Sequence, residues 1–213
     1  MKILLAVPTF ENIYPDTFKS IYNLDKCGNE VDFDFFRGYD VAAARNEIGK
    51  ATVKGNYDYV LMLDNDEVIP EDGLKNLLET AESYPFIPCM ATGYCLTRPT
   101  GATNTDSKLA IFKFAGKDYT RQDAYTAQEI KDYRDKGVTK IQIRGSGLGS
   151  ALIHRSIFVK MNYPWFKWIC YSDGKTQLSE DLFFCEQFPV IKSPIYVDTR
   201  VSCGHMMRHI EYC

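Results

Sequence analysis

Two aspartates stand directly after an apolar run in the first half of the chain. Asp64 and Asp66 are separated by one residue and follow Val60–Leu63, a pattern typical of a buried strand that ends in a polar turn. At the carboxyl end of a parallel strand the chain leaves the sheet beside a crevice, where α/β proteins bind ligands. Neighbouring carboxylates repel each other unless a cation or a hydrogen-bond donor satisfies them. Because such oxygen ligands suit Mg²⁺ or Mn²⁺, which also take substrate phosphates as ligands, the pair predicts a divalent-cation site.

Other charged residues could support chemistry at the same site. Arg45 lies near the start of a predicted helix, where the helix dipole disfavours a cation unless an anion lies nearby, so it indicates a pairing with a diphosphate or with the acidic turn. Glu180 and Asp181 precede an apolar helical run, although acids are also favoured at any helix N-terminus. His205 follows Gly204, a residue that permits close backbone approach.

Alternating strands and helices are predicted to position these residues. In the first half of the chain, apolar runs and helical periodicities alternate three times, which predicts βαβ units and a parallel sheet. The predicted elements are strands Lys2–Val7, Val31–Phe36 and Tyr59–Leu63, and helices at Asp16–Leu24, at Ala42–Lys54 and from Pro70 onward.

The second half of the chain is less regular. Thr97–Lys108 is polar, contains Pro and Gly and has no period, so we expect a loop there. Ala124–Lys136 is predicted to be a helix ended by Gly137, and Ile195–Val197 a last short strand. Since no internal repeat or linker interrupts the chain, we expect one domain over residues 1–213.

Composition excludes several classes of protein. The 213 residues are 45% apolar, enough for a sizeable core, and 25 Lys+Arg against 28 Asp+Glu argue against bulk electrostatic binding to nucleic acid. No apolar run approaches the roughly 20 residues of a membrane helix, and Ile3–Val7 is shorter than the apolar region of a secretory signal. The seven cysteines are scattered without a C-x-x-C pair, which favours reduced thiols and a cytoplasmic location.

Seven short blocks, taken with their order and spacing, carry a resemblance to a known family. They are Val7–Thr9, Val41–Asn46, Leu63–Asp66, Gly147–Arg155, Pro164–Phe166, Ser179–Asp181 and Gly204–His205. They are distributed along nearly the whole chain, and the sequence resembles GT-A type nucleotide-sugar glycosyltransferases, particularly the small bacterial and phage family-2-like members.

The resemblance implies a fold and a division of the chain. The fold would be a Rossmann-like α/β domain with a mixed, mostly parallel central sheet flanked by helices. Residues 1–96 would bind the nucleotide sugar, and residues 97–213 would face the acceptor. Pro8 and Thr9 would hold the nucleoside, although the same segment could merely end the first strand. Asp34 would approach the base or ribose, or could lie on the solvent face of its strand.

The resemblance also implies roles for the acidic residues and the histidine. Asp64 would meet the ribose or the metal, and Asp66 would coordinate the ion that bridges the diphosphate. His205 matches the distal metal ligand of the family. In inverting members the aspartate of an E-D pair deprotonates the acceptor hydroxyl, which points to Asp181, with Glu180 in reserve.

Two further segments relate to the acceptor. The rings of Trp165, Phe166 and Trp168 could stack on a sugar face or could cover the sheet. From its length and position, we expect the 97–108 loop to help choose the acceptor.

The sequence therefore predicts a metal-dependent glycosyltransferase of the hexosyltransferase type. It would use Mn²⁺ or Mg²⁺ to move a sugar from a UDP- or GDP-linked donor to a hydroxyl of a carbohydrate or other acceptor. Stereochemistry and oligomeric state stay open.

Three other functions are alternatives to a glycosyltransferase. A haloacid dehalogenase-like phosphatase fits the D-x-D-x-[TV] pattern of Asp64–Val68, although that motif normally lies on the first strand. Such an enzyme also needs paired acids near the C-terminus, where Asp173 or Glu180-Asp181 would serve poorly. A sugar-nucleotide pyrophosphorylase would need a glycine-rich Arg/Lys signature after the first strand, which the sequence lacks. The last alternative is a non-catalytic carbohydrate-binding protein.

Overall fold

The computed structural model describes residues 1–38, 40–84, 86–97, 108–114, 119, 123–172, 174 and 176–206. The helices are α1 (Pro15–Asn23), α2 (Val41–Lys54), α3 (Gly73–Glu82), α4 (Ala127–Asp135), α5 (Arg155–Lys160) and α6 (Glu180–Cys185). The strands are β1 (Lys2–Thr9), β2 (Glu30–Arg37), β3 (Tyr59–Leu63), β4 (Glu67–Val68), β5 (Met90–Tyr94), β6 (Lys108–Phe112), β7 (Ala124–Thr126), β8 (Lys140–Ile143), β9 (Gly145–Ser146), β10 (Ser150–His154), β11 (Ile169–Cys170), β12 (Thr176–Leu178), β13 (Ile195–Ser202) and β14 (Gly204–His205).

A mixed sheet organises the part of the chain that the structure describes. Its seven strands are ordered β2-β1-β3-β10-β5-β13-β8. Strands β2, β1, β3, β5 and β13 run in one direction, and β10 and β8 run in the other. The sheet is therefore mostly parallel, and β10 from the second half of the chain separates β3 from β5.

Helices cover both faces of this sheet, which explains why its central strands are apolar throughout. All five residues of β3 are buried. On one face, Ile48 of α2, Phe158 of α5 and Phe184 of α6 belong to one core cluster. On the other face, Ile21 of α1 and Leu77 of α3 belong to a second cluster. Because both faces of the sheet are buried, side chains that could bind a ligand are expected at the ends of the strands.

The three strands and three helices predicted in the first half of the chain are confirmed; most boundaries differ by one or two residues, and the start of α3 differs most. Pro70 does not begin α3, because the Gly73 N–H donates to the Pro70 carbonyl at 2.8 Å in a turn that precedes the helix. Asp72 is the residue that immediately precedes the helix.

Two predictions for the second half need correction. The helix predicted over Ala124–Lys136 begins only at Ala127, because Thr126 and Glu129 form a capping box and the preceding residues pair as β7. The strand predicted as the last, Ile195–Val197, extends over Ile195–Ser202 as β13 and pairs with both β5 and β8, and the short strand β14 follows it. Most of the predicted 97–108 loop, residues 98–107, lies outside the described residues.

None of the cysteines in the described ranges forms a disulfide, and Cys89, Cys95, Cys185 and Cys203 are buried thiols. Among the helices that the structure describes, none combines the length and apolar character that crossing a membrane requires.

Candidate functional site

The predicted carboxylates lie at the carboxyl end of β3, beside a crevice of about 380 Å³. The Asp64 N–H donates to the Gly149 carbonyl at 2.9 Å, and the Glu67 N–H donates to the Asp64 carbonyl at 3.2 Å, which fixes the turn after the strand. The crevice is lined by Pro8, Thr9, Phe10, Gly38, Asp40, Val41, Ala44, Asp64, Asn65 and Asp66.

Arg45 connects the two acidic segments of the sequence. Its Nη2 donates to both carboxylate oxygens of Asp64, at 2.8 and 3.1 Å, and its Nη1 donates to Glu180 Oε1. The side chain is only 3% exposed. Burial lowers the pKa of the guanidinium, but Asp64 and Glu180 more than offset this and the pKa is raised overall. The anions that this helix position requires are therefore supplied by the protein itself.

His205 meets Asp66 because β14 pairs with β4. Gly204 lies opposite Val68, and His205 lies opposite Glu67. This pairing brings His205 Nε2 to 3.5 Å from Asp66 Oδ2, and the Met206 N–H donates to the Asp66 carbonyl at 2.8 Å. The pairing thus brings His205, from the C-terminal part of the chain, to Asp66, which lines the crevice.

The tautomer of His205 follows from its second contact. Nδ1 lies 2.9 Å from the Leu96 carbonyl, which only accepts, so Nδ1 carries the proton. In the neutral ring, the Nε2 lone pair would face the Asp66 carboxylate. The two would repel each other unless a proton or a metal ion lay between them. In the protein alone, the contact with Asp66 favours a proton on Nε2, so the pKa of His205 is raised.

The same geometry suits a divalent ion. A ligating histidine commonly donates its other ring N–H to a carbonyl, as His205 does to Leu96. Among the described residues, no three His, Cys, Asp or Glu side chains form a complete metal cluster. Asp66 and His205 offer two ligands, and Mg²⁺-type ions usually complete such sets with substrate phosphates and water. The residues present fit an ion that binds together with an anionic ligand.

Glu67 points away from the crevice into the protein. It is 6% exposed, its Oε1 accepts from the Cys95 thiol at 3.1 Å, and its Oε2 is buried without a hydrogen-bond partner. Burial and the nearby Asp64 carboxylate raise the pKa of Glu67 to about 7. The carboxyl group packs directly on the backbone of Gly149, where a Cβ would overlap it.

Gly149→Ala is expected to destabilise the protein by about 1–3 kcal/mol, because the added methyl group must displace the buried Glu67 carboxyl group. Urea unfolding of the variant measures this. Gly147→Ala is the matched control, since a Cβ there has its nearest contact, Ala110 Cβ, at 3.4 Å. Equal stability of the two variants would contradict the close packing at Gly149.

Asp181 lies in the first turn of α6, next to Glu180. Its Oδ1 accepts hydrogen bonds from the Ser179 hydroxyl and from the Leu182 N–H, the latter at 2.7 Å. Its Oδ2 faces the Gly147 backbone, where an added Cβ would lie 3.7 Å away. Glu180 is buried against Arg45, and burial raises its pKa. Of the two acids, Asp181 is the more accessible.

The structure brings most, but not all, of the sequence-predicted residues together. Pro8 and Thr9 line the crevice. Asp34 lies on the exposed surface of β2, where it accepts from the Phe35 N–H at 2.8 Å, and it is not among the described residues that line the crevice.

Sequence reasoning missed other residues that line the crevice. Asp40, Phe10 and Asn65 are among them. Asp40 caps α2 by accepting from the Ala43 N–H at 3.0 Å. An aspartate immediately before a helical pattern is a helix-start signal that could have drawn attention to it.

The rings of Trp165, Phe166 and Trp168 differ in burial, and so in the role that each could have. Trp165 and Phe166 are buried in the core cluster that contains α2 and α6, where they cover the sheet. Trp168 is 44% exposed. Of the alternative acids considered for a phosphatase, Asp173 lies outside the described residues.

Comparisons with known proteins identify the fold. No family model and no curated protein sequence matches the chain. Among solved structures, A197 from STIV matches with a TM-score of 0.63 and 18% identity, over 98% of this chain and 87% of that one. GalNAc-T7, crystallised with UDP, GalNAc and Mn²⁺, matches with a TM-score of 0.61 and 10% identity, over 98% of this chain and 44% of that one.

A third match points the same way. S. aureus TarS 1-349, in complex with UDP-GlcNAc, matches with a TM-score of 0.54 and 14% identity, over 99% of this chain and 60% of that one. The chain thus spans about half the length of the two glycosyltransferase chains. At these identities the likeness shows the fold, and the predicted GT-A-like α/β architecture is confirmed.

Proposed function

We propose that this protein is a metal-dependent glycosyltransferase that moves a sugar from a nucleoside-diphosphate donor to an acceptor hydroxyl. The observation that carries the proposal is the Asp66–His205 pair at the carboxyl end of β3. It lies in a fold shared with GalNAc-T7 and TarS, whose structures contain UDP with Mn²⁺ and UDP-GlcNAc respectively. The phosphatase alternative would use Asp64 and Asp66 of its motif but gives no role to His205.

The crevice supplies the donor site in this proposal. Pro8, Thr9 and the exposed ring of Phe10 would hold the nucleoside, and Asp40 adds a carboxylate to the same lining. Asp34, on the outer surface of β2, is less well placed for this role.

The acidic turn would hold the diphosphate. Asp66 and His205 would bind Mn²⁺ or Mg²⁺, which when bound supplies Lewis-acid neutralisation of charge on the leaving diphosphate. Asp64 would bind the ribose or the ion, in an orientation set by Arg45. Because the guanidinium is buried between two carboxylates, Arg45 would act through Asp64 and Glu180.

Asp181 would serve as the base if the reaction inverts the anomeric centre. It would accept the proton of the acceptor hydroxyl as that oxygen bonds to the anomeric carbon and the bond to the diphosphate breaks. Its Oδ1 is held by Ser179 and the Leu182 N–H, which leaves Oδ2 to act. Glu180 accepts a hydrogen bond from Arg45 in a buried ion pair and would position Asp181. If configuration is retained, Asp181 would instead orient the acceptor or the donor sugar.

Asp181→Asn is expected to lower kcat about 10²–10⁴-fold, because an amide keeps the Oδ1 hydrogen bonds but is not basic. Steady-state transfer kinetics measure kcat, and titration with UDP and Mn²⁺ measures donor-site affinity, which should not change. An unchanged kcat in a folded variant would contradict the base assignment.

The function is tested by screening donors. UDP-, GDP- and CMP-sugars are added with Mn²⁺, and thermal stability and release of nucleotide are recorded. A ligand at a hundred times its Kd stabilises the folded state by about 2.7 kcal/mol, which is readily seen as a shift in Tm. The proposal predicts such a shift and Mn²⁺-dependent nucleotide release with at least one donor. No shift with any donor, together with hydrolysis of p-nitrophenyl phosphate, would establish the phosphatase alternative instead.

A further inference from the structure

A second cavity, of about 530 Å³, adjoins the proposed donor crevice. The two share Gly38 and Asp40. The first turn of α2 separates them, since Val41 and Ala44 line the crevice whereas Ala42 and Ala43 line the second cavity. The other lining residues of this second cavity are Arg37, Asn46, Glu47, Tyr163, Phe166, Lys167 and Trp168.

The wall of the second cavity is held rigidly by Asn46. This buried side chain accepts from the Trp165 N–H at 3.0 Å and the Phe166 N–H at 3.3 Å. Its amide group donates to the Phe166 carbonyl at 2.7 Å and to the Ala42 carbonyl at 2.9 Å. Phe166 also stacks on Phe184 of α6, with 4.4 Å between ring centroids. Trp165 and Phe166 are therefore fixed to α2 and α6, the two helices that carry Arg45 and Asp181.

Exposed rings and charged groups give the second cavity its chemistry. Trp168 is 44% exposed and Tyr163 is 56% exposed. The Tyr163 ring lies edge-on to Trp165, with 5.4 Å between ring centroids, and Lys50 Nζ lies 4.9 Å from its centre, so Tyr163 offers only part of its ring to a ligand. Beside them lie Arg37 and Lys167, with Glu47 on the helix. Exposed aromatic faces suit the C–H face of a pyranose ring, and surrounding charged and amide groups suit its hydroxyls. A purely apolar or purely anionic ligand would use only part of this lining.

We propose that the second cavity is the subsite for a pyranose unit of a carbohydrate acceptor, with Trp168 as its stacking platform and Tyr163 as its second aromatic wall. The inference rests on the proposed glycosyltransferase function. It deepens that function by naming the acceptor class as a carbohydrate and by placing it across the first turn of α2 from the donor crevice.

Tryptophan fluorescence offers a direct test that needs no turnover. The sequence has two tryptophans, and Trp165 is buried, so quenching by acrylamide reports mainly on Trp168. The probes are the methyl glycosides of glucose, galactose, mannose and N-acetylglucosamine at millimolar concentrations, with and without UDP and Mn²⁺. We expect at least one glycoside to protect Trp168 from acrylamide and to show saturation-transfer NMR signals with the wild-type protein.

Variants separate stacking from a general loss of structure. Trp168→Ala should weaken glycoside binding about tenfold, measured by NMR titration, whereas Trp168→Phe keeps a ring and should stay within about threefold of wild type. Both variants should bind UDP with Mn²⁺ as the wild type does. Tyr22→Ala, which removes an 80% exposed ring on α1, is the control and should leave both ligands unaffected.

Four outcomes would overturn the inference. The first is equal glycoside affinity of wild type and Trp168→Ala. The second is absence of glycoside binding to a wild-type protein that binds UDP with Mn²⁺, which removes this subsite and leaves the proposed function standing. The third is protection of Trp168 by UDP alone, which would make the second cavity part of the donor site. Failure of both UDP and the glycosides to bind would remove the proposed function as well.

Discussion

Asp66→Asn is expected to lower Mn²⁺-dependent sugar transfer by at least about 100-fold. Asparagine has nearly the shape of aspartate, so the backbone hydrogen bond from the Met206 N–H to the residue 66 carbonyl remains. The change removes the negative charge that faces His205 Nε2 at 3.5 Å, and with it the charged ligand of the proposed ion. Catalysis should therefore fail while the fold persists.

The measurement is the rate of nucleotide release as a function of Mn²⁺ concentration, with unfolding in urea to verify the fold. Asp135→Asn, at the exposed end of α4, is the matched control, because it makes the same chemical change at a residue that does not line the crevice. It should behave as the wild type does. An Asp66→Asn variant with full metal stimulation would remove Asp66 from the site.

Arg45→Met is expected to destabilise the protein by about 3–5 kcal/mol, the effect of leaving a buried charge without its partner. Glu180 is 4% exposed, and its carboxylate would lose the Arg45 Nη1 donor. Asp64 would lose both of its contacts with Nη2 as well. The free energy of unfolding in urea measures the effect.

A second substitution tests the cause of this loss. In Arg45→Met/Glu180→Gln the buried carboxylate is replaced by a neutral amide, so part of the lost stability should return. Arg134→Met, on the exposed surface of α4, is the control and should change stability by less than about 0.5 kcal/mol. If the double variant is no more stable than Arg45→Met alone, the uncompensated charge of Glu180 is not the cause.

The sequence was informative where local pattern and tertiary structure agree. Strands β1 and β3 read as apolar runs because helices cover both faces of the sheet, and the carboxylates after β3 follow directly from that reading. The placement of β10 between β3 and β5 could not be read in the same way. Its pairing joins segments far apart in the chain, and an apolar run such as Ala151–Ile153 does not state which neighbours it will have.

The contacts within the site could not be predicted from local sequence pattern either. The meeting of His205 with Asp66 depends on the pairing of β14 with β4, two strands of two residues each that carry no periodic signal. The burial of Arg45 between Asp64 and Glu180 depends on the packing of α2 against α6, which composition does not specify. The second cavity was equally hidden, because whether Trp165 or Trp168 faces solvent depends on the hydrogen bonds of Asn46.

The central claim is that the crevice at the end of β3 binds a nucleoside diphosphate through a divalent ion. Calorimetric titration of the wild-type protein with UDP, and then with GDP, in Mn²⁺ and separately in EDTA, tests it most directly. We expect one of these nucleotides to bind in Mn²⁺ and to bind at least about tenfold more weakly in EDTA. Equal affinity under the two conditions, or no binding of either nucleotide in Mn²⁺, would contradict it.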